Sequence, residues 1–154
     1  DNCFKEVSAK YPNIETESLL VDAACMDLVR RPGDFDVIVA SNLFGDILSD
    51  LGAGITGGMG TAPSSNINPS KNSLSMFEPV HGSAPDISGK GIANPLAAIL
   101  SCSMMASYLG YSKIEDIIRK AVQKTINDNI ITKDMGGNNS TEEVIKNVVL
   151  NIMS

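Results

Sequence analysis

Three aspartates in the first third of the chain carry the sharpest chemical suggestion. Asp46 and Asp50 lie four residues apart in a stretch that reads as helical. Their carboxylates therefore project from one face, with Cβ atoms about 5–6 Å apart. Two like charges held that close suit a hard cation such as Mg2+ or Mn2+, which takes a few carboxylate oxygens and fills its shell with water and substrate oxygens. Asp22, read as the end of a short strand, is a candidate third ligand, because open α/β sheets collect ligands at the carboxyl ends of strands. The competing reading is a solvated helix face, whose repulsion of roughly 0.2–0.5 kcal/mol water tolerates.

Two further segments invite a cofactor reading. Gly52-Ala53-Gly54-Ile55-Thr56-Gly57 matches G-x-G-x-x-G letter for letter. A dinucleotide fingerprint, however, follows a strand and opens a helix, whereas this one follows a helix and runs into Gly58-Met59-Gly60. Close packing and turning of the backbone is the better account of these glycines. His81 is the sole histidine and sits in Glu78-Pro79-Val80-His81-Gly82-Ser83-Ala84-Pro85-Asp86. No G-x-S-x-G elbow supplies a nucleophile for it. The loop does offer backbone donors, a flat ring and a carboxylate, Asp86, suited to a ribose diol; the alternative is an ordinary turn-rich loop.

The elements that must position these residues alternate between helix and strand. Phe4 to Lys10 reads as the end of a helix closed by Pro12-Asn13, and Ser18 to Val21 as a short strand. Ala23 to Arg31 reads as a helix stopped by Pro32-Gly33, and Val37 to Ala40 as a strand buried on both faces, which implies a parallel sheet. Ser41-Asn42 caps a helix from Leu43 to about Leu51, and the order is the α/β signature. Gly52 to Asn72 reads as a long loop, Ser73 to Glu78 as a strand, and His81 to Gly91 as a second loop. Pro95 opens a long helix that Gly110 ends, Ile114 to Asp128 is amphipathic, and Ser140 to Glu143 resembles a capping box before a closing helix to Met153.

Composition narrows the classes. The 154 residues carry 12 basic and 18 acidic side chains, a net charge of −6. With no basic run longer than Arg30-Arg31, neither nucleic acid nor anionic lipid is an expected partner. Cys3, Cys25 and Cys102 are odd in number and form no C-x-x-C pair, which fits a reducing, cytoplasmic setting better than disulfides or a cysteine zinc site. The longest apolar run, Ile92 to Met105, is interrupted by Asn94, Pro95 and Ser101 to Ser103, too polar to span a bilayer. The start, Asp1-Asn2-Cys3-Phe4-Lys5, lacks Met, a basic n-region and an apolar h-region, so a longer gene product without a visible signal peptide is expected.

Taken together, Asn42-Leu43-Phe44-Gly45-Asp46-Ile47-Leu48-Ser49-Asp50 and Glu78 to Ile87 through Asn94-Pro95 resemble the β-hydroxyacid oxidative decarboxylases, the isocitrate and isopropylmalate dehydrogenase family. The resemblance runs over essentially the whole chain. Ala40-Ser41-Asn42-Leu43-Phe44-Gly45-Asp46 and Ala62-Pro63-Ser64-Ser65-Asn66-Ile67-Asn68-Pro69 look closest to the tartrate or D-malate branch, with isopropylmalate dehydrogenase next.

The resemblance implies an isopropylmalate-dehydrogenase-like α/β fold without a Rossmann motif, present as a C-terminal fragment. Residues 1–56 would belong to the central, dimer-forming and metal-binding domain, and 57–154 to the returning half of the outer NAD-binding domain. It makes Asp46 and Asp50 Mg2+ or Mn2+ ligands, with Asp22 reaching a site shared across a homodimer interface. It assigns Gly60, Ser64, Glu78, His81, Gly82, Ser83, Ala84, Asp86 and Asn94 to the NAD pocket, His81 beside the adenine and Asp86 on the adenosine ribose. The implied reaction is hydride transfer from the hydroxyl carbon of a malate-type 2-hydroxy acid to NAD, usually followed by decarboxylation. The family's proton-transferring Lys and Tyr and its substrate-gripping Arg cluster have no counterpart here; Tyr11, Tyr108, Tyr111, Lys5 and Lys10 lie outside the matching motifs. A non-catalytic regulatory or binding subunit that keeps this half is the alternative.

Overall fold

The computed structural model describes residues 2–154. Six helices are found among them: α1 (Asn2–Ser8), α2 (Val21–Arg30), α3 (Asn42–Thr56), α4 (Leu96–Tyr108), α5 (Ser112–Asn127) and α6 (Thr141–Met153). One antiparallel hairpin joins β1 (Pro63–Asn66) to β2 (Met76–Pro79). Two compact units can be separated, one reaching Leu48 and the other spanning Ser49–Ser154, with the boundary inside α3.

In the first unit, α2 buries Ala24, Asp27 and Leu28, the i, i+3, i+4 pattern of one helix face. The buried carboxylate is satisfied. Arg31 donates to Asp27 at 2.9 Å and, with its other terminal nitrogen, to Asp34 at 2.9 Å, so one guanidinium ties the end of α2 to the 3-10 turn at Pro32–Asp34. The Arg31 hydrogen bond holds the Asp27 carboxyl below the usual range.

Two expected strands of this unit are not formed. Residues 11–20 are exposed and irregular, and α2 starts at Val21, so Asp22 stands in a first helical turn rather than at a strand end. Its carboxylate accepts the Ala23 N–H at 2.9 Å, as an acid at a helix N-terminus does. Residues 37–40 are likewise exposed and irregular, with Val37 84% accessible. β-branched residues favour an extended backbone, but a strand also needs a neighbour for its N–H and C=O groups. Among the described residues the only pairing is β1 with β2, and the expected parallel sheet is absent.

The second unit is organised by α4. It lies against α5 on one side and against the hairpin and the 3-10 turn at Met59–Thr61 on another. Leu96 on α4, Ala121 and Val122 on α5, and Val144 and Val148 on α6 form the buried core, flanked by Ile99, Leu100, Ile118 and Ile126. Small polar residues let α4 pack closely without orphaned groups: buried Ser101 donates to the Ala97 carbonyl at 2.9 Å, and buried Ser103 to the Glu115 carbonyl at 3.3 Å. Gly110, at φ +91°, turns the chain out of α4. The capping box forms as expected, with Glu143 N–H donating to Ser140 Oγ at 3.3 Å and Ser140 N–H to Glu143 Oε2 at 2.7 Å.

The glycine-rich stretch differs from the expected loop. α3 continues through Gly52 and Gly54 to Thr56, whose hydroxyl donates back to the Gly52 carbonyl at 2.8 Å. Gly57 and Gly58, at φ +131° and +100°, then end the helix, and β1 begins at Pro63. β2 starts at Met76, later than the expected Ser73. No helix of the described residues is long and apolar enough to cross a membrane.

Candidate functional site

The candidate cofactor residues all fall in the second unit. Gly60 is in the 3-10 turn before β1, Ser64 is on β1, Glu78 on β2, the segment from His81 to Asp86 is the loop after β2, and Asn94 lies just before α4. The fold brings four of them together in two pairs. Ser64 and Glu78 are directly opposed in the antiparallel ladder, which Val80 N–H extends by donating to the Ala62 carbonyl at 3.1 Å. Gly60 and Asn94 meet so closely that a Cβ at Gly60 would sit 2.7 Å from the Asn94 Cβ and 2.7 Å from Asp134 Oδ2. Only glycine allows that approach.

The loop after β2 has its own geometry. His81 Nδ1 lies 2.9 Å from the Gly82 carbonyl. A carbonyl only accepts, so Nδ1 is the donor in this contact. Ala84 adopts φ +42°, a left-handed conformation unusual for a residue with a Cβ, and the Ile87 N–H closes the turn onto its carbonyl at 3.1 Å. A Cβ at Gly82 would meet nothing within 4 Å, so the backbone there is open to a ligand. Gly82, Ser83, Ala84 and Asp86 are all exposed, His81 half-buried. An open backbone, an aromatic face and an exposed carboxylate make a donor set that fits the adenosine part of a dinucleotide.

Asp134, which the sequence did not single out, lies against two of these candidates. Its Oδ2 accepts from Asn94 Nδ2 at 2.9 Å, and its Oδ1 accepts from the Thr132 hydroxyl. The local signal was available in Thr132-Lys133-Asp134 before the Gly136-Gly137 turn, but the partner lies forty residues away.

The candidate metal ligands are all exposed. Asp22 is in the first turn of α2, and Asp46 and Asp50 are one turn apart on α3. Among the described residues, no three His, Cys, Asp or Glu side chains gather into a metal-binding group. The donor chemistry fits a hard cation, while a full ligand set is not brought together among the described residues.

The whole chain can be compared with known proteins. Residues 1–148 match the family described as isocitrate/isopropylmalate dehydrogenase. The chain is 51% identical to an isocitrate/homoisocitrate dehydrogenase of Thermus thermophilus, over 94% of this chain and 42% of that protein. It is 48% identical to a probable tartrate dehydrogenase/decarboxylase of Bacillus subtilis, over 94% of this chain and 41% of that protein. The crystal structure of isocitrate dehydrogenase from Methylococcus capsulatus superposes with a TM-score of 0.91 at 40% identity, covering 97% of this chain and 44% of that one. The chain thus spans about two-fifths of the length of the curated relatives, and identities of 51% and 48% do not single out one branch. The fold is the corresponding part of the isocitrate dehydrogenase fold, and the chain belongs to the isocitrate/isopropylmalate dehydrogenase family.

Proposed function

We propose that this chain is the C-terminal part of an NAD-dependent, Mg2+- or Mn2+-dependent dehydrogenase that oxidises and decarboxylates a malate-type 2-hydroxy acid, and that acts as a homodimer in the cytoplasm. The observation that carries the reading is the pairing of Gly60 with Asn94 and of Ser64 with Glu78 in one unit, beside the open His81–Asp86 loop. In this reading residues 57–154 form the returning half of the cofactor domain, and residues 1–56 the end of the central domain.

Asp86 would accept from the adenosine ribose, and the His81 ring would lie beside the adenine. Asp46 and Asp50, with Asp22 from across a subunit interface, would hold the divalent ion. When bound, such an ion would supply positive charge to the reacting oxygen of the substrate. Three free cysteines support a reducing compartment.

Proton transfer is assigned to no residue here. The Tyr108 hydroxyl is engaged in structure: it donates to the Asn68 carbonyl at 2.9 Å and accepts from Ser75 at 3.0 Å. The isocitrate, homoisocitrate and tartrate names of the relatives share a 2-hydroxy acid core, and tartrate, D-malate or 3-isopropylmalate is the substrate proposed. The test is turnover by the full-length protein of tartrate, D-malate, 3-isopropylmalate, isocitrate and homoisocitrate with Mn2+ and NAD+. NADH formation from at least one is expected; none from any overturns the proposal.

A further inference from the structure

We infer that Asp134 is a positioning residue for the dinucleotide pocket, acting through the side chain of Asn94. The inference rests on the NAD reading above and adds a residue to it. Three separate segments converge at this point: the 3-10 turn holding Gly60, the stretch entering α4, and the 3-10 turn Lys133–Met135.

The direction of each hydrogen bond follows from chemistry. A carboxylate only accepts, so Asp134 Oδ2 requires the amide end of Asn94 to face it, at 2.9 Å. That orientation turns Asn94 Oδ1 toward the start of α4, where it accepts the Leu96 N–H at 3.0 Å and satisfies a donor at the helix N-terminus. Both ends of the Asn94 amide are thereby committed, and neither flip is equivalent to the other. Thr132, 1% exposed, donates to the second carboxylate oxygen and fixes the rotamer of Asp134 from a buried position. Gly60 completes the lock. Its Cα packs where any Cβ would strike both Asn94 and Asp134, and it leads directly into β1, which carries Ser64.

Without Asp134, the Nδ2 of Asn94 loses its partner and the segment entering α4 is held to the Lys133–Met135 turn by one bond fewer. A pocket wall that must be ordered on binding costs affinity. The effect falls on cofactor affinity rather than on the chemical step, because in that reading neither Asn94, Asp134 nor Thr132 holds the metal or moves a proton.

The experiment uses the full-length protein and measures the NAD+ dissociation constant by calorimetry, with the thermal midpoint and kcat at saturating NAD+ alongside. Asp134→Ala is expected to weaken NAD+ binding about tenfold while leaving kcat within about twofold. Asp134→Asn is expected to stay within about threefold, because its oxygen can face Asn94 while its amide donates to the Thr132 hydroxyl. Val148→Ala, in the buried core on α6, lowers the thermal midpoint but leaves NAD+ affinity unchanged. Unchanged affinity in Asp134→Ala overturns the inference, as does a loss matched by Val148→Ala, which marks plain destabilisation. If Asp134→Ala does not fold, a tenfold loss in Asp134→Asn overturns it and near-native affinity supports it. Failure of the wild-type protein to bind NAD+ is a separate result that removes the NAD reading itself.

Discussion

Ser64 on β1 and Glu78 on β2 stand directly opposite one another in an antiparallel hairpin of two four-residue strands, with Glu78 exposed and Ser64 half-buried. The ladder is made by backbone groups, so the Glu78 side chain can change without dissolving it. Glu78→Ala in the full-length protein is expected to raise the KM for NAD+ about tenfold, the loss of roughly one charge-assisted hydrogen bond, with the thermal midpoint nearly unmoved. Steady-state titration of NAD+ and a melting curve check both halves. An unchanged KM removes Glu78 from the pocket.

Asp46→Asn and Asp50→Asn should each weaken Mn2+ activation of the full-length enzyme by tenfold or more while leaving the fold intact. Each removes a charged oxygen from a hard-cation site and relieves repulsion along α3 in the metal-free protein. Mn2+ titrations followed by activity and by calorimetry read the effect directly. A variant with native Mn2+ dependence rules out that ligand.

The left-handed turn at Ala84 gives a stability prediction. Its φ of +42° costs an L-residue about 1 kcal/mol, which glycine does not incur. Ala84→Gly is therefore expected to raise stability slightly or leave it level, since the added freedom of the unfolded chain offsets part of the relief. The same change loosens the loop and should raise the KM for NAD+ a few-fold. Denaturant unfolding and NAD+ titration separate the two effects.

Acid should unpick the cap of α6. The Ser140 backbone N–H, then its hydroxyl, holds the Glu143 carboxyl below its ordinary value of 4.5. A depressed carboxylate contributes stability that is fully present above the unfolded value and lost as pH falls through the folded one. Stability should therefore decline from about pH 4.5 downward, and Glu143→Gln should flatten part of that decline. Asp27, held low by Arg31, acts in the same direction and is left intact by that change. Thermal midpoints from pH 3 to 7 on both proteins test this; identical slopes would show the cap to be silent.

How far these features could be read in advance depended on their range along the chain. The second unit was largely legible. Pro95, Gly110 and the Ser140–Glu143 pair are local stop and start signals, and each acts within a turn of itself. The extension of α3 through Gly52 and Gly54 was missed because glycine reads as a breaker, while buried Ala53 and the Thr56 bond to Gly52 hold the helix together. Val37 to Ala40 has the composition of a buried strand, but pairing is not a property of the segment alone, and no partner strand lies among the described residues. The Asn94–Asp134 bond was invisible for the same reason: neither residue signals the other across forty positions.

The central claim is a pocket built for NAD, and the most direct measurement is kcat/KM of the full-length protein with NAD+ and with NADP+. The exposed Asp86 carboxylate would accept from the ribose hydroxyls and repel a 2′-phosphate, and Ile87 beside it offers no cation to offset that repulsion. The account predicts a preference for NAD+ of at least tenfold, shifted toward NADP+ when Asp86→Lys and Ile87→Tyr are combined. A wild-type protein that favours NADP+ contradicts it.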